Sequence, residues 1–121
     1  MEVRIETSIV IDRPAVEVFE FVAVRHRENH SRWDVAVSQL VLETPGPLGL
    51  GSRFTIVRRN LREEEARTFT ITEWVPPRLM EMRTSARGFQ LTLRGSLRQL
   101  ALRSRATSSF ARLRSRECGD C

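Results

Sequence analysis

Residues 9–34 read IVIDRPAVEVFEFVAVRHRENHSRWD, and the order of patterns in this stretch sets the architecture. Its first residues finish an alternation that begins upstream. Val3, Ile5, Thr7, Ile9 and Ile11 share one parity and Arg4, Glu6 and Ser8 the other, the period of a strand half buried on one face. Asp12 and Arg13 lead into Pro14, whose fixed φ and missing N–H suit the first turn of a helix, with Asp12 close enough to accept from the free amides there. Ala15, Val18, Phe19 and Val22 then recur at helical spacing while Glu17 and Glu20 point away, so the helix carries one apolar stripe that has to lie on a sheet. The stretch closes on Trp33 in a polar setting. Strand, tight break and amphipathic helix in immediate succession suggest a cavity-forming fold, with no ligand named and no catalytic signature.

Working outward, Arg25 to Asp34 is polar and holds both histidines, His26 and His30. His30 with Arg32, Trp33 and Asp34 can form a polar mouth, His30 being the proton-transfer group; the plainer reading is an exposed connection in which Trp33 covers the end of the core. His26 and His30 stand four apart without an accompanying carboxylate–histidine pattern, so no metal site is expected. Val37 to Glu43 reads as a strand. The following TPGPLGLGS is a glycine- and proline-marked loop that lacks the lysine and helix of a phosphate-binding loop.

The clearest β signal is a central hairpin. Phe54 and Ile56 alternate with Arg53 and Thr55, and Phe69 and Ile71 with Thr68, Thr70 and Thr72, around a turn near Asn60 to Glu63; each strand is apolar on one face only. Arg58 and Glu73 share the parity of the apolar residues, so they either project inward, paired or facing a polar ligand group, or lie at strand ends in reach of water. Trp74-Val75-Pro76-Pro77 ends the strand, since two prolines cannot donate to a ladder. Arg78 to Thr84 is a further strand with Met80 and Met82 on one face, and after the Arg87-Gly88 turn Phe89, Leu91 and Leu93 make another.

The runs VIDRPAVEVFEFV, NHSRWD, TPGPLGLGSRF and TITEWVPPRLMEM, in this order from about Val3 to about Leu97, resemble the polyketide cyclase/dehydrase and lipid-transport superfamily, also called START-like or SRPBCC proteins. The resemblance implies an α+β helix-grip fold, a curved antiparallel sheet wrapping a long C-terminal helix with an apolar ligand between them. It also implies a second short helix near Arg25 to Asp34, and that the Gly-Pro loop borders the cavity entrance. One fold hosts many activities, so function does not follow from it alone.

The whole chain of 121 residues is one domain of ordinary soluble composition, 40% hydrophobic and 29% charged. It has no apolar run of membrane-spanning length, and its charged first residues do not read as a signal peptide. A cytoplasmic location is expected, with no stable membrane insertion. Every basic residue is arginine. Met1 to Leu93 is neutral, with 13 Arg against 13 Asp plus Glu, and the net +5 comes from Arg94 to Cys121. Residues 1–97 are expected to form the START-like body and residues 98–121 an atypical Arg/Ser-rich segment. Leu102, Ala106, Phe110 and Leu113 fit a short helix there, while Leu100 and Leu102 also fit a strand. The preferred explanation is an altered C-terminus, translated out of frame, in place of the native strand and helix. Cys118 and Cys121 lack the context of a redox or zinc pair, and no aromatic residues interleave the arginines for base stacking, so nucleic acid is not an expected partner.

The expected function is binding of a small hydrophobic or amphipathic molecule, without a cofactor, in a cavity lined by Trp33, Phe54, Ile56, Phe69, Ile71, Met80, Met82, Leu91 and Leu93. The alternatives are an enzyme resembling the aromatase/cyclases, with His30, Arg58 and Glu73 as its acid–base groups, and a non-enzymatic domain that forms a homodimer through its open sheet.

Overall fold

In a computed structural model, which describes residues 2–33, 36–59, 63–86 and 88–114 and leaves out the side chains of Ser31, Trp33, Ala86 and Arg114, the N-terminal alternation forms strand β1 (Glu2–Ile11). The helical stretch divides into α1 (Ala15–Phe19), a π-helical turn (Glu20–Val24) and α2 (His26–Trp33). Six strands follow: β2 (Val37–Leu42), β3 (Arg53–Arg59), β4 (Glu64–Val75), β5 (Leu79–Ala86), β6 (Phe89–Leu100) and β7 (Arg103–Arg114). All seven strands make one antiparallel sheet in the order β1-β7-β6-β5-β4-β3-β2.

Pro14 starts the helix as its geometry predicts, yet Asp12 does not cap it: the Asp12 carboxylate lies 3.3 Å from the Arg103 guanidinium. The amide of Ala15 donates instead to Oε1 of Gln99 at 2.7 Å, while Gln99 Nε2 donates to the carbonyls of Ala101 and Arg103. A residue far off in sequence thus does the capping, because α1 packs over β6 and β7. Ala15, Val18 and Phe19 are buried by that packing. The i to i+5 bond from Arg25 N–H to the Glu20 carbonyl, 2.8 Å, marks the π-helical turn, which re-phases the chain so that Val22, His26 and His30 face the sheet.

Residues 103–114, where an apolar stripe also allows a helix, are a strand throughout, paired with β1 on one side and β6 on the other. The β6–β7 connection is a two-residue turn, Ala101-Leu102, between paired Leu100 and Arg103, and Ala101 sits at φ +47°. An L side chain there is strained by roughly 1–2 kcal/mol, more than the roughly 0.4–1 kcal/mol of unfolded-chain freedom that a glycine adds. Ala101→Gly is therefore expected to stabilise the protein by about 0.5–1 kcal/mol, read as a rise of about 2–4 °C in the thermal midpoint.

The core lies between the concave face of the sheet and the helical segment, built from Val37, Phe54, Ile56, Phe69, Ile71 and Met82. Strand β1 is not half buried as its alternation suggests. It is an edge strand with one neighbour, and Ile5 and Ile9 are 57% and 64% exposed. Among the described residues no helix is long and apolar enough to cross a membrane. Cys118 and Cys121 lie outside the described residues.

Candidate ligand-binding cavity

Cross-strand register carries one apolar surface across the concave face. Phe54 is paired with Phe69, Met82 with Leu93, Leu93 with Phe110, and Phe110 with Ile5. Between this surface and the helical segment is a cavity of about 880 Å³, a size that holds a small organic ligand. Of the residues expected to line it, Ile56, Phe69, Met80, Met82, Leu91 and Leu93 do so. Phe54 and Ile71, 0% and 1% exposed, lie beneath it in the core. The Trp33 side chain is outside the described residues.

The lining also includes Val22, His26, Phe89, Gly95, Ser108, Phe110 and Arg112. The His26 position was legible as one helical face with Val22 and His30, four residues apart each time. Phe110 and Arg112 were not, since a stretch as weakly alternating as Ala106-Thr107-Ser108-Ser109 does not declare a strand. Gly95 is paired with Met80 on one side and Ser108 on the other, and a Cβ placed on it meets nothing within 4 Å. Two small residues side by side therefore deepen the floor of the cavity.

His26 is 2% exposed, and its Nε2 shares a hydrogen bond with Nδ1 of His30. Its ring also meets the Phe54 ring edge-on, centroids 5.2 Å apart. Burial, and secondarily the neighbouring His30, push its pKa from 6.5 down to about 3, so His26 is neutral at physiological pH. The pair adds a hydrogen-bonded polar spot to the cavity lining.

Of the proposed acid–base groups, His30 and Arg58 line the cavity and Glu73 does not. Its parity was misleading because the register of β4 against β5 shifts between Ile71 and Glu73. Such a bulge turns every later side chain to the other face: Trp74 pairs with Met80, and Glu73 with Glu81. Glu73 is thereby placed on the convex face, 2.8 Å from Arg94. Glu81 lies beside it, buried beneath Arg83 and Arg94 at 3.0 and 3.1 Å and accepting from the Thr72 hydroxyl at 2.8 Å. Burial opposes its ionisation, but the Thr72 hydrogen bond and the two guanidiniums outweigh that effect and hold the carboxyl below its ordinary range.

The sequence profile of the family described as polyketide cyclase / dehydrase and lipid transport matches residues 2–110. The chain belongs to this family. The match runs past Leu97 and takes in most of β7, so the stretch expected to be atypical carries the family's pattern as far as Phe110. No curated protein sequence matches it. Among solved structures the fold is shared with Ara h 8.0201, at a TM-score of 0.80 and 11% identity over 94% of this chain and 78% of that one. A Streptomyces aromatase/cyclase, Zhui, gives 0.75 and 13% over 94% and 69%. Norcoclaurine synthase from Thalictrum flavum, in complex with dopamine and hydroxybenzaldehyde, gives 0.75 and 9% over 97% and 72%. These likenesses establish a START-like helix-grip fold, in which a curved seven-stranded antiparallel sheet faces few helices.

Proposed function

We propose that this family member binds a small hydrophobic or amphipathic molecule in the cavity between the sheet and the helical segment. The observation that carries this reading is a space of about 880 Å³ walled by Ile56, Phe69, Met80, Met82, Leu91, Leu93 and Phe110 and floored by Gly95 and Ser108. An apolar wall of this extent gains about 25 cal/mol for each Å² of ligand surface it removes from water, before the costs of association.

Native mass spectrometry after addition of dodecanol tests it. A one-to-one adduct that disappears on denaturation is expected for the parent protein. The adduct should be lost in Gly95→Leu, which adds a bulky side chain at the cavity floor, where a Cβ meets nothing within 4 Å. Absence of any adduct in the parent protein, or equal adducts in both, would sink the reading.

A second reading, cyclisation of a polyketide chain held in one geometry, has one observation in its favour: His30 faces the cavity with neutral His26 behind it and Arg58 in the same wall. His30→Ala and Arg58→Ala would each abolish turnover of a cyclisable polyketide thioester. Unchanged rates would leave binding alone.

A further inference from the structure

We infer that the ligand carries one acidic group at the end of an apolar body, and that Arg67 and Arg112 hold that group. This rests on the binding reading above and adds the ligand's polarity and direction to it.

The antiparallel topology is the starting point. Arg58 is next to last in β3, Arg67 is in the first third of β4, Phe89 begins β6 and Arg112 is near the end of β7. In an antiparallel sheet all four positions fall at the same end. Met80 near the start of β5 and Gly95 beyond the middle of β6 fall toward the other. All of these residues line the one cavity, which is therefore a trough with an apolar end and a basic end.

Arg58, Arg67 and Arg112 line the basic end together with Glu65, which faces Arg58 across the ladder and is ion-paired with Arg67. The remaining arginine of the wall, Arg94, is engaged on the convex face by Glu73 and Glu81. The Arg112 guanidinium carbon lies over the Phe89 ring, 3.4 Å from its centroid, and no carboxylate among the described residues pairs with it. The Phe89 face orients this guanidinium by cation–π attraction without neutralising it. The Arg67 side chain is 32% exposed, so both its charge and any counter-charge are partly removed from water, where attraction is stronger. Guanidiniums present paired donors that match a carboxylate, sulfonate or phosphate oxygen pair. The apolar wall then takes the body of the ligand, which runs from Phe89 toward Met80 and Gly95.

Titration calorimetry with dodecanoate, dodecanol and acetate at one fixed, near-physiological salt concentration tests the inference. The parent protein is expected to bind dodecanoate about tenfold more tightly than dodecanol, as one charge-assisted contact implies, and acetate should neither bind measurably nor compete. In Arg67→Gln/Arg112→Gln the ratio of the two affinities is expected to fall to about one. Arg112→Gln alone, at a side chain that rests on the Phe89 ring, should lower the ratio by at least about threefold and serves if the double variant does not fold. Equal affinities in the parent protein, or a ratio unmoved by both variants, would overturn the acidic-group inference and leave the cavity reading standing. Binding of neither long-chain compound would overturn both.

Discussion

Phe54→Ala is expected to lower the unfolding free energy by about 3–5 kcal/mol, the range for removing a fully buried aromatic ring. Phe54 has no exposed surface. Its ring stacks on Phe69 with centroids 5.8 Å apart and receives the edge of His26, so it joins β3, β4 and α2 at one point. The hole left by its removal is walled by a hydrogen-bonded ladder that cannot collapse inward, which places the effect toward the upper end of the range. For a domain whose total stability is about 5–15 kcal/mol, the urea midpoint should fall by about 2 M. Ile5→Ala on the exposed edge strand should change stability by less than about 1 kcal/mol. Comparable losses at the two positions would contradict the placement of the core on the β2–β5 half of the sheet.

The second large effect is acid destabilisation through His26. Its pKa is about 3 in the folded protein against 6.5 ordinarily. Between these values the unfolded chain binds a proton that the folded chain refuses, so stability falls as pH falls from 6.5 toward 3 and is unaffected by this group above 6.5. The slope approaches about 1.4 kcal/mol per pH unit, giving a loss of up to about 3 kcal/mol by pH 4.5. Glu81 acts in the same direction but lower down. Its carboxyl is held below the ordinary 4.5, so its contribution is complete above that value and is lost only as the pH falls through its depressed folded pKa. The interval from 6.5 to 4.5 therefore separates the His26 contribution from that of Glu81. Denaturation curves across it should slope for the parent protein and flatten for His26→Leu, and an unaltered slope in that variant would assign the acid sensitivity elsewhere.

His26 also shows where reading a sequence stops. Its helical spacing from Val22 and His30 puts it on one face, but nothing in the spacing says that this face is sealed against Phe54, and it is the seal that lowers the pKa. Glu73 fails in another way. Strict alternation from Phe69 sends it inward, and a single extra residue between Ile71 and Glu73 sends it out to Arg94. A bulge is a property of a strand pair, so one strand's sequence does not contain it. Gln99 is a third case: local residues suggest Asp12 as the cap, and the chain's return through β6 supplies a better-placed acceptor.

What the sequence determined by itself was whatever depends on near neighbours. Alternation in β1, β3, β4 and β6, the break at Pro14, the apolar stripe of α1 and the strand stop at the paired prolines are all visible within a few residues, because dihedral restriction and side-chain direction are local. The apolar parity of Ile56, Phe69, Met80, Met82, Leu91 and Leu93, read together with the family resemblance, placed these residues on the cavity wall. The tertiary structure decided everything that needs a partner strand or a cover. It made a strand of Arg103–Arg114 through ladders to β1 and β6 on both sides, turned Glu73 out, left β1 exposed at the sheet edge, and gathered arginines from three strands at one end of the trough. Hydrogen-bond ladders, burial and summed charge are pairwise and collective quantities, and they exist only once distant parts of the chain have met.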